Sequence, residues 1–173
     1  AEQFCDQKGQ KSILVRPYRN GRDLNLNPRG AFVIDAYGHT EADIARQHPA
    51  IFQHLRDKVK PDRDTNRDAW IRENWTQFGR PRPEWREYVG GLHRYISTSE
   101  TSKHRVFVFL DGSVLPDNRL INFALENAFQ LSAMSSKVHV VWALAAGGTL
   151  EDRPIYNLTQ CFDPFPFPDL TDR

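Results

Sequence analysis

The apolar positions of this chain fall into short clusters separated by charged or turn-forming residues, and the spacing within each cluster distinguishes strands from helices. SILVRPY (residues 12–18) and AFVIDAYG (31–38) are compact β-branched and aromatic runs that predict strands, the second buried and closed by Gly38. Asn20-Gly21 between them is a tight-turn signal. Thr40 caps TEADIARQ (40–47), with Glu41 and Asp43 in the first turn, where the helix dipole favours negative charge. Pro49 opens a second helix, PAIFQHLRDKVK (49–60), on which Ile51, Phe52 and Leu55 form the buried face and which Pro61 stops. HRYISTSE (93–100) and HRVFVFLD (104–111) predict strands, the second apolar enough to be covered on both faces. In LINFALENAFQL (120–131), Leu120, Phe123, Ala124 and Ala128 stand at helical spacing, which predicts a helix packed on that strand.

The rest of the chain is organised around residues 135–169. Two serines can cap a helix there, and Val138, Val141, Trp142 and Ala145 follow at i, i+3, i+4 and i+7, an apolar stripe that predicts a buried face with Trp142 in the core. Gly147 and Gly148 end the helix, and a short charged loop follows: Glu151, Asp152, Arg153 and Pro154. PFPFP (164–168) then forces an extended, anchored exit. A helix that delivers a charged loop suits recognition, although the same pattern also serves structure alone.

Residues 61–88 place Trp70, Trp75, Phe78 and Trp85 among Arg63, Arg67, Arg72, Arg80, Arg82 and Arg86. Basic residues interleaved with aromatics suit stacking on single-stranded bases. The commoner meaning, core aromatics on amphipathic helices with a solvated face, is the better reading and leaves some arginines free for phosphate. Arg16, Arg19 and Arg22 form a second cluster around the Asn20-Gly21 turn, either a solvated turn or a phosphate-contacting edge.

At 173 residues the chain is read as a single domain over 1–173, with 1–11 a frayed start. A net charge of +1 does not by itself announce a nucleic-acid binder, but 17 Arg against 6 Lys favours bidentate contact to phosphate or guanine, unless genomic base composition alone has enriched arginine. Cys5 and Cys161 stand far apart without CxxC spacing, which argues against a zinc site or a disulfide framework. No apolar run is long enough to span a bilayer and no secretory leader opens the chain, so the expected location is the cytoplasm.

Several chemistries lack their residues. An amino-methyltransferase needs Asn-Pro-Pro-aromatic to hold the exocyclic amine, and here Asn27-Pro28 is followed by Arg29. There is no glycine-rich cofactor loop, no P-loop and no nucleophile elbow. Pro61-Asp62 could begin a nuclease signature, but no acidic-x-Lys partner follows. The chain does not read as a complete enzyme.

Eight ordered blocks carry a family resemblance: RPYRNGRDL, PRGAFVIDAYG, KPDRDTNRDAWIRENW, FGRPRPEW, RYISTSETSKHRVFVFLD, VLPDNRLINFAL, SSKVHVVWALAAGG and YNLTQCFDPFPFPD. Together they resemble the target-recognition region of MmeI-type (type IIL/IIG) bacterial DNA methyltransferases and restriction–modification enzymes. The resemblance implies an α/β (α+β) fold with a mixed or antiparallel sheet and packed helices, like the recognition domains of type I specificity subunits. It implies sequence-specific binding of double-stranded DNA on behalf of an adenine methyltransferase domain N-terminal in the same polypeptide. That domain would bind S-adenosylmethionine, with no cofactor in this chain, and some relatives add a nuclease domain.

Carried over residue by residue, the resemblance places base-reading positions at Glu151, Arg153 and Ile155, after the glycine turn, and at Arg119, at the start of the preceding helix. Ile155 departs from the family pattern, where a polar or basic residue is commoner. Arg can donate twice to guanine, and Glu can accept from the cytosine amino group. Arg16, Arg19, Arg22 and Arg82 are the candidate phosphate contacts. The rival reading is a protein-interaction module that docks onto the catalytic portion with little DNA contact.

Overall fold

A computed structural model describes Phe4 and residues 12–168. The chain forms two compact units, one comprising Ala1–Pro17 and Phe32–Trp85, the other Tyr18–Ala31 and Arg86–Arg173. The fold is α/β, with small mixed and antiparallel strand pairings and short helices. Of the segment read as a frayed start, only Phe4 is described, and it packs edge-on against His54 at 5.0 Å.

Strand β1 (Val15–Arg19) begins in the first unit, where Val15–Pro17 run antiparallel to β2 (Phe32–Ile34), Val15 facing Ile34. Helices α2 (Glu41–Gln47) and α3 (Pro49–Lys58) follow, then α4 (Lys60–Asp64), α5 (Ala69–Glu73) and α6 (Pro83–Val89). Thr40 and Asp43 form the capping box at the start of α2, each side chain meeting the other's backbone N–H. Leu14, Val15, Ala36, Ile44, Ile51, Leu55 and Trp75 make the core. Two expectations need correction. Pro61 lies in the first turn of α4, where its missing N–H costs nothing, so it opens a helix and α3 ends at Lys58 beforehand. Of Trp70, Trp75, Phe78 and Trp85, only Trp75 is buried, its indole N–H donating to Glu41 at 3.1 Å, while Trp70 is exposed.

The second unit is built on β3 (Arg94–Ser99), the central strand between β4 (Val108–Asp111) and β6 (Leu120–Phe123), both antiparallel to it. Residues 95–99 are all buried, so β3 is covered on both faces. Its buried hydroxyls are satisfied: Ser97 donates to Asn122 at 2.8 Å and Thr98 to the Val106 carbonyl at 2.7 Å. The end of β1 pairs in parallel with β5 (Leu115–Pro116), and α1 (Gly21–Asn25) packs on β3. Asn20-Gly21 is therefore a helix start and not a tight turn: the Asn20 side chain accepts from the N–H groups of Arg22 and Asp23. The segment read as one helix, 120–131, divides in two. Leu120–Phe123 completes the sheet, and α7 (Ala128–Ser135) begins only after Asn127, whose side chain caps it. Leu120 and Phe123 are both buried, which imitates helical spacing, but Asn122 is held by Ser97 across the strand pair.

Helix α8 (Lys137–Ala146) forms where expected, capped by Ser136, but with the opposite face inward. His139 and Ala143 are buried, whereas Val138 is 71% and Val141 56% exposed, and Trp142 lies on the same open face. The helix is apolar almost all round, so periodicity does not fix its phase. Tight packing does, since Ala143 is small enough to sit against the Cys161 thiol. Truncating Trp142 to Ala should thus cost well under the about 3–5 kcal/mol of a buried tryptophan, whereas Met134→Ala, fully buried, should cost about 2–5 kcal/mol. Urea denaturation checks this, and equal losses in the two variants would overturn the helix phase.

Candidate nucleic-acid interface

Beyond Ser99 the β3 strand stays hydrogen-bonded for three more residues, and these organise the charged loop. The Glu100 N–H donates to the Arg119 carbonyl at 2.9 Å, and the Glu100 carbonyl accepts from the Tyr156 N–H at 2.7 Å. Thr101 bridges to Ile155, and the Ser102 N–H donates to the Pro154 carbonyl at 3.2 Å. One short stretch, bent at Glu100, is thus lined by the turn carrying Arg119 and by the chain leaving the charged loop.

That loop is a β-hairpin. β7 (Thr149–Leu150) pairs with β8 (Arg153–Pro154), and Glu151 and Asp152 form the turn. The hairpin closes at its base where the Ile155 N–H donates to the Gly148 carbonyl at 2.8 Å. Gly147 is required beneath it: a Cβ there would overlap the Ile155 carbonyl and lie 2.8 Å from the Ala143 carbonyl. Glu151 adopts φ +57°, a left-handed conformation uncommon for a residue with a side chain. At the tip Arg153 donates to Glu151 at 2.6 Å, with both side chains largely in solvent.

One half-buried and one fully buried group hold the hairpin base. The Arg105 guanidinium donates to the Pro154 carbonyl and to the Thr98 hydroxyl, each at 3.2 Å, and to the Ser99 carbonyl. It also stands 5.1 Å from the Tyr156 ring, and burial pulls its pKa below the ordinary arginine value. Tyr156 is fully buried and its hydroxyl meets His139 Nε2 on α8 at 3.0 Å. Phe107, Phe165 and Phe167 surround the imidazole, with Phe165 edge-on at 4.4 Å, so PFPFP does anchor the chain's exit. His139 Nδ1 has no hydrogen-bond partner among the described residues, and desolvation lowers the pKa of this histidine to about 4. No sequence pattern marked Arg105, His139 or Tyr156, because their partners are distant backbone carbonyls and one another.

Of the predicted reading positions, Glu151 and Arg153 share the hairpin tip. Ile155 sits at the base, where its backbone is committed on both sides and its side chain is half-buried. Arg119 is exposed, but it precedes strand β6 and no helix starts there; its N–H is held by Asp117 at 3.0 Å. Glu100 nonetheless brings its backbone beside the hairpin base. The four candidate phosphate contacts are divided between the two units. Arg16 and Arg82 belong to the first unit, where Arg16 pairs with buried Asp35 at 3.3 Å and Arg82 is exposed at φ +51°. Arg19 and Arg22 belong to the second, Arg19 donating to the Tyr18 carbonyl and Arg22 lying exposed on α1. Among the described residues no group of three or more His, Cys, Asp or Glu is placed to hold a metal ion, and no helix is long and apolar enough to cross a membrane.

A family model described as MmeI, target recognition domain, matches residues 1–169. Among solved structures the chain is similar to the type IIL restriction–modification enzyme MmeI determined in complex with DNA, at 19% identity and a TM-score of 0.70. The similarity covers 92% of this chain and 21% of that one, so the chain spans about a fifth of the enzyme it matches. The likeness is one of fold. Among curated proteins none matches.

The buried imidazole generates a pH dependence. Unfolded, His139 titrates near 6.5; folded, near 4. Between these values the unfolded chain binds more protons, so stability falls as pH drops from 6.5 towards 4 and this contribution flattens below. At about 1.4 kcal/mol per pKa unit the group's share is roughly 3 kcal/mol. His139→Gln keeps a polar partner for Tyr156 but cannot ionise, so its stability should decline less over that range. Parallel stability–pH curves for the two proteins would refute the assignment.

Proposed function

The chain belongs to the MmeI target-recognition-domain family, and from that premise we propose that it reads base sequence in duplex DNA for an adenine methyltransferase of the restriction–modification type. The parent's methyltransferase portion would supply S-adenosylmethionine and the chemistry, and this chain would bind no cofactor. We place both in the cytoplasm, where the DNA is.

The observation that carries this reading is the β7–β8 hairpin. It presents a carboxylate and a guanidinium two residues apart, on a base clamped by backbone hydrogen bonds and by Arg105. The backbone strain at Glu151 supports it further. Glycine would adopt φ +57° more easily, and a side chain held there at a cost is a common mark of function. Arg153 is suited to guanine and Glu151 to a cytosine amino group; Arg119, across Glu100, is the third candidate, and Ile155 contributes through the hairpin base.

The test is the exchange Glu151→Lys with Arg153→Asp, made in the full-length parent. It keeps the net charge of the hairpin and permits a reversed ion pair. Reading of bases predicts an altered map of methylated sites, each bidentate contact contributing about 1–3 kcal/mol of discrimination. Normal activity on an unchanged map would reduce the pair to surface decoration.

A second reading has its own observation. The open face of α8, with Val138, Val141 and Trp142, leaves apolar surface that favours docking to another protein, the methyltransferase portion above all. The two readings differ in ionic strength. Duplex binding by the isolated chain should be weak, with a non-specific Kd of about 10⁻⁴ to 10⁻⁶ M at physiological salt, and should weaken steeply as salt rises. Fluorescence anisotropy at several salt concentrations checks it. Absence of salt-dependent duplex binding would favour the docking module.

A further inference from the structure

The hairpin proposed to read bases carries the wrong charge to reach DNA unaided. Glu151 and Asp152 are acidic and Arg153 basic, so the tip is net negative, and Arg153 is already paired within it. Entry into the field of a polyanion needs cations fixed in the same frame. The loop after β3 supplies one. Its backbone is tied to the hairpin by the Ser102 N–H and the Arg105 guanidinium, which both donate to the Pro154 carbonyl at 3.2 Å. Between these two ties lies Lys103, exposed and without an ion pair among the described residues.

The same loop is tied to α1. The Ser102 hydroxyl reaches the Asn25 side chain at 3.1 Å and the His104 carbonyl at 2.8 Å, and Asn25 in turn donates to Ser99 at 2.9 Å. Asn25 is three residues beyond Arg22 on α1, hence on the same side of the helix. Arg22 is also exposed. Helix α1, the loop and the hairpin thus form one hydrogen-bonded frame within the second unit, with a cation on each of the first two elements and the mixed tip on the third.

We propose that Lys103, acting with Arg22, forms a phosphate-binding ridge that seats the β7–β8 hairpin on duplex DNA. The inference rests on the DNA-reading function above and adds the residues that position the reader. Both contacts address the sugar–phosphate backbone, so they contribute affinity and register and leave base preference untouched.

The experiment measures duplex binding of the 173-residue chain against salt by fluorescence anisotropy. For B-DNA the slope of log K against log salt is about −0.9 per phosphate neutralised. Lys103→Gln should make the slope shallower by about one, Lys103→Arg should restore it, and Lys103→Gln with Arg22→Gln should make it shallower by about two. Lys137→Gln, the same charge removed from the exposed start of α8, should leave it unchanged. Unaltered melting curves establish that each variant folds. A wild-type slope that Lys103→Gln does not change, or that Lys137→Gln lowers equally, overturns the ridge alone. No binding by the unaltered chain overturns the ridge and the DNA-reading function together.

Discussion

Glu100 spends its backbone N–H on the turn that carries Arg119 and its carbonyl on Tyr156. It can do both because the chain bends at Glu100, just past the end of the central strand β3, before Thr101 bridges to Ile155. In a regular strand both groups of a residue face one edge and successive residues alternate, so a residue whose N–H and C=O serve different neighbours marks where the chain leaves regular pairing. The consequence is that the charged hairpin does not hang from α8 like an ordinary loop. The Thr101–Ile155 bridge and the hydrogen bonds flanking it tie the hairpin base to the chain that continues from β3.

The supports beneath it are polar and wholly or partly buried, an arrangement that specifies geometry more than it adds stability. Arg105 satisfies carbonyls of Ser99 and Pro154 that lie far apart in sequence, and its planar fork can do so only when the two segments are correctly spaced. The His139–Tyr156 pair fixes α8 against the hairpin base in the same way. An apolar residue at any of these positions would pack, but it would tolerate sliding. A hydrogen bond at 3.0 Å inside an aromatic cluster does not, because breaking it leaves buried donors and acceptors unpaired.

What the sequence made legible follows from this. The strand at 93–100 is legible from its aromatic and β-branched residues, and the Thr40 and Pro49 helix starts because capping is local chemistry, whereas the apolar run 104–111 overstates its strand: only Val108–Asp111 pairs, at the edge of the sheet, with Val108 and Phe109 half-buried. The phase of α8 was not readable, since Val138, Val140, Val141 and Leu144 offer several equivalent stripes. Leu120 and Phe123 misled for the opposite reason: a strand with both ends buried and its middle half-open imitates a helical turn. Of the candidate site, the charged tip was legible as composition. The hairpin was not, because Glu151-Asp152 lacks the glycine or asparagine that signals a tight turn, and the left-handed conformation falls on a glutamate.

The ion pair at the tip is compatible with reading bases. An exposed pair is worth about 0.2–1 kcal/mol, so separating Glu151 from Arg153 to meet DNA costs little against the 1–3 kcal/mol a good base contact discriminates. In free protein the pair holds two long side chains in one place and keeps the tip's local field small. On the proposed reading each partner would have an alternative on DNA, the guanidinium with guanine and the carboxylate with a cytosine amino group. The pair would then act as a threshold, since a base pair that offers only one of the two alternatives must still break the ion pair. Two adjacent positions would be read jointly, so substituting one partner alone should disturb recognition at the position addressed by the other.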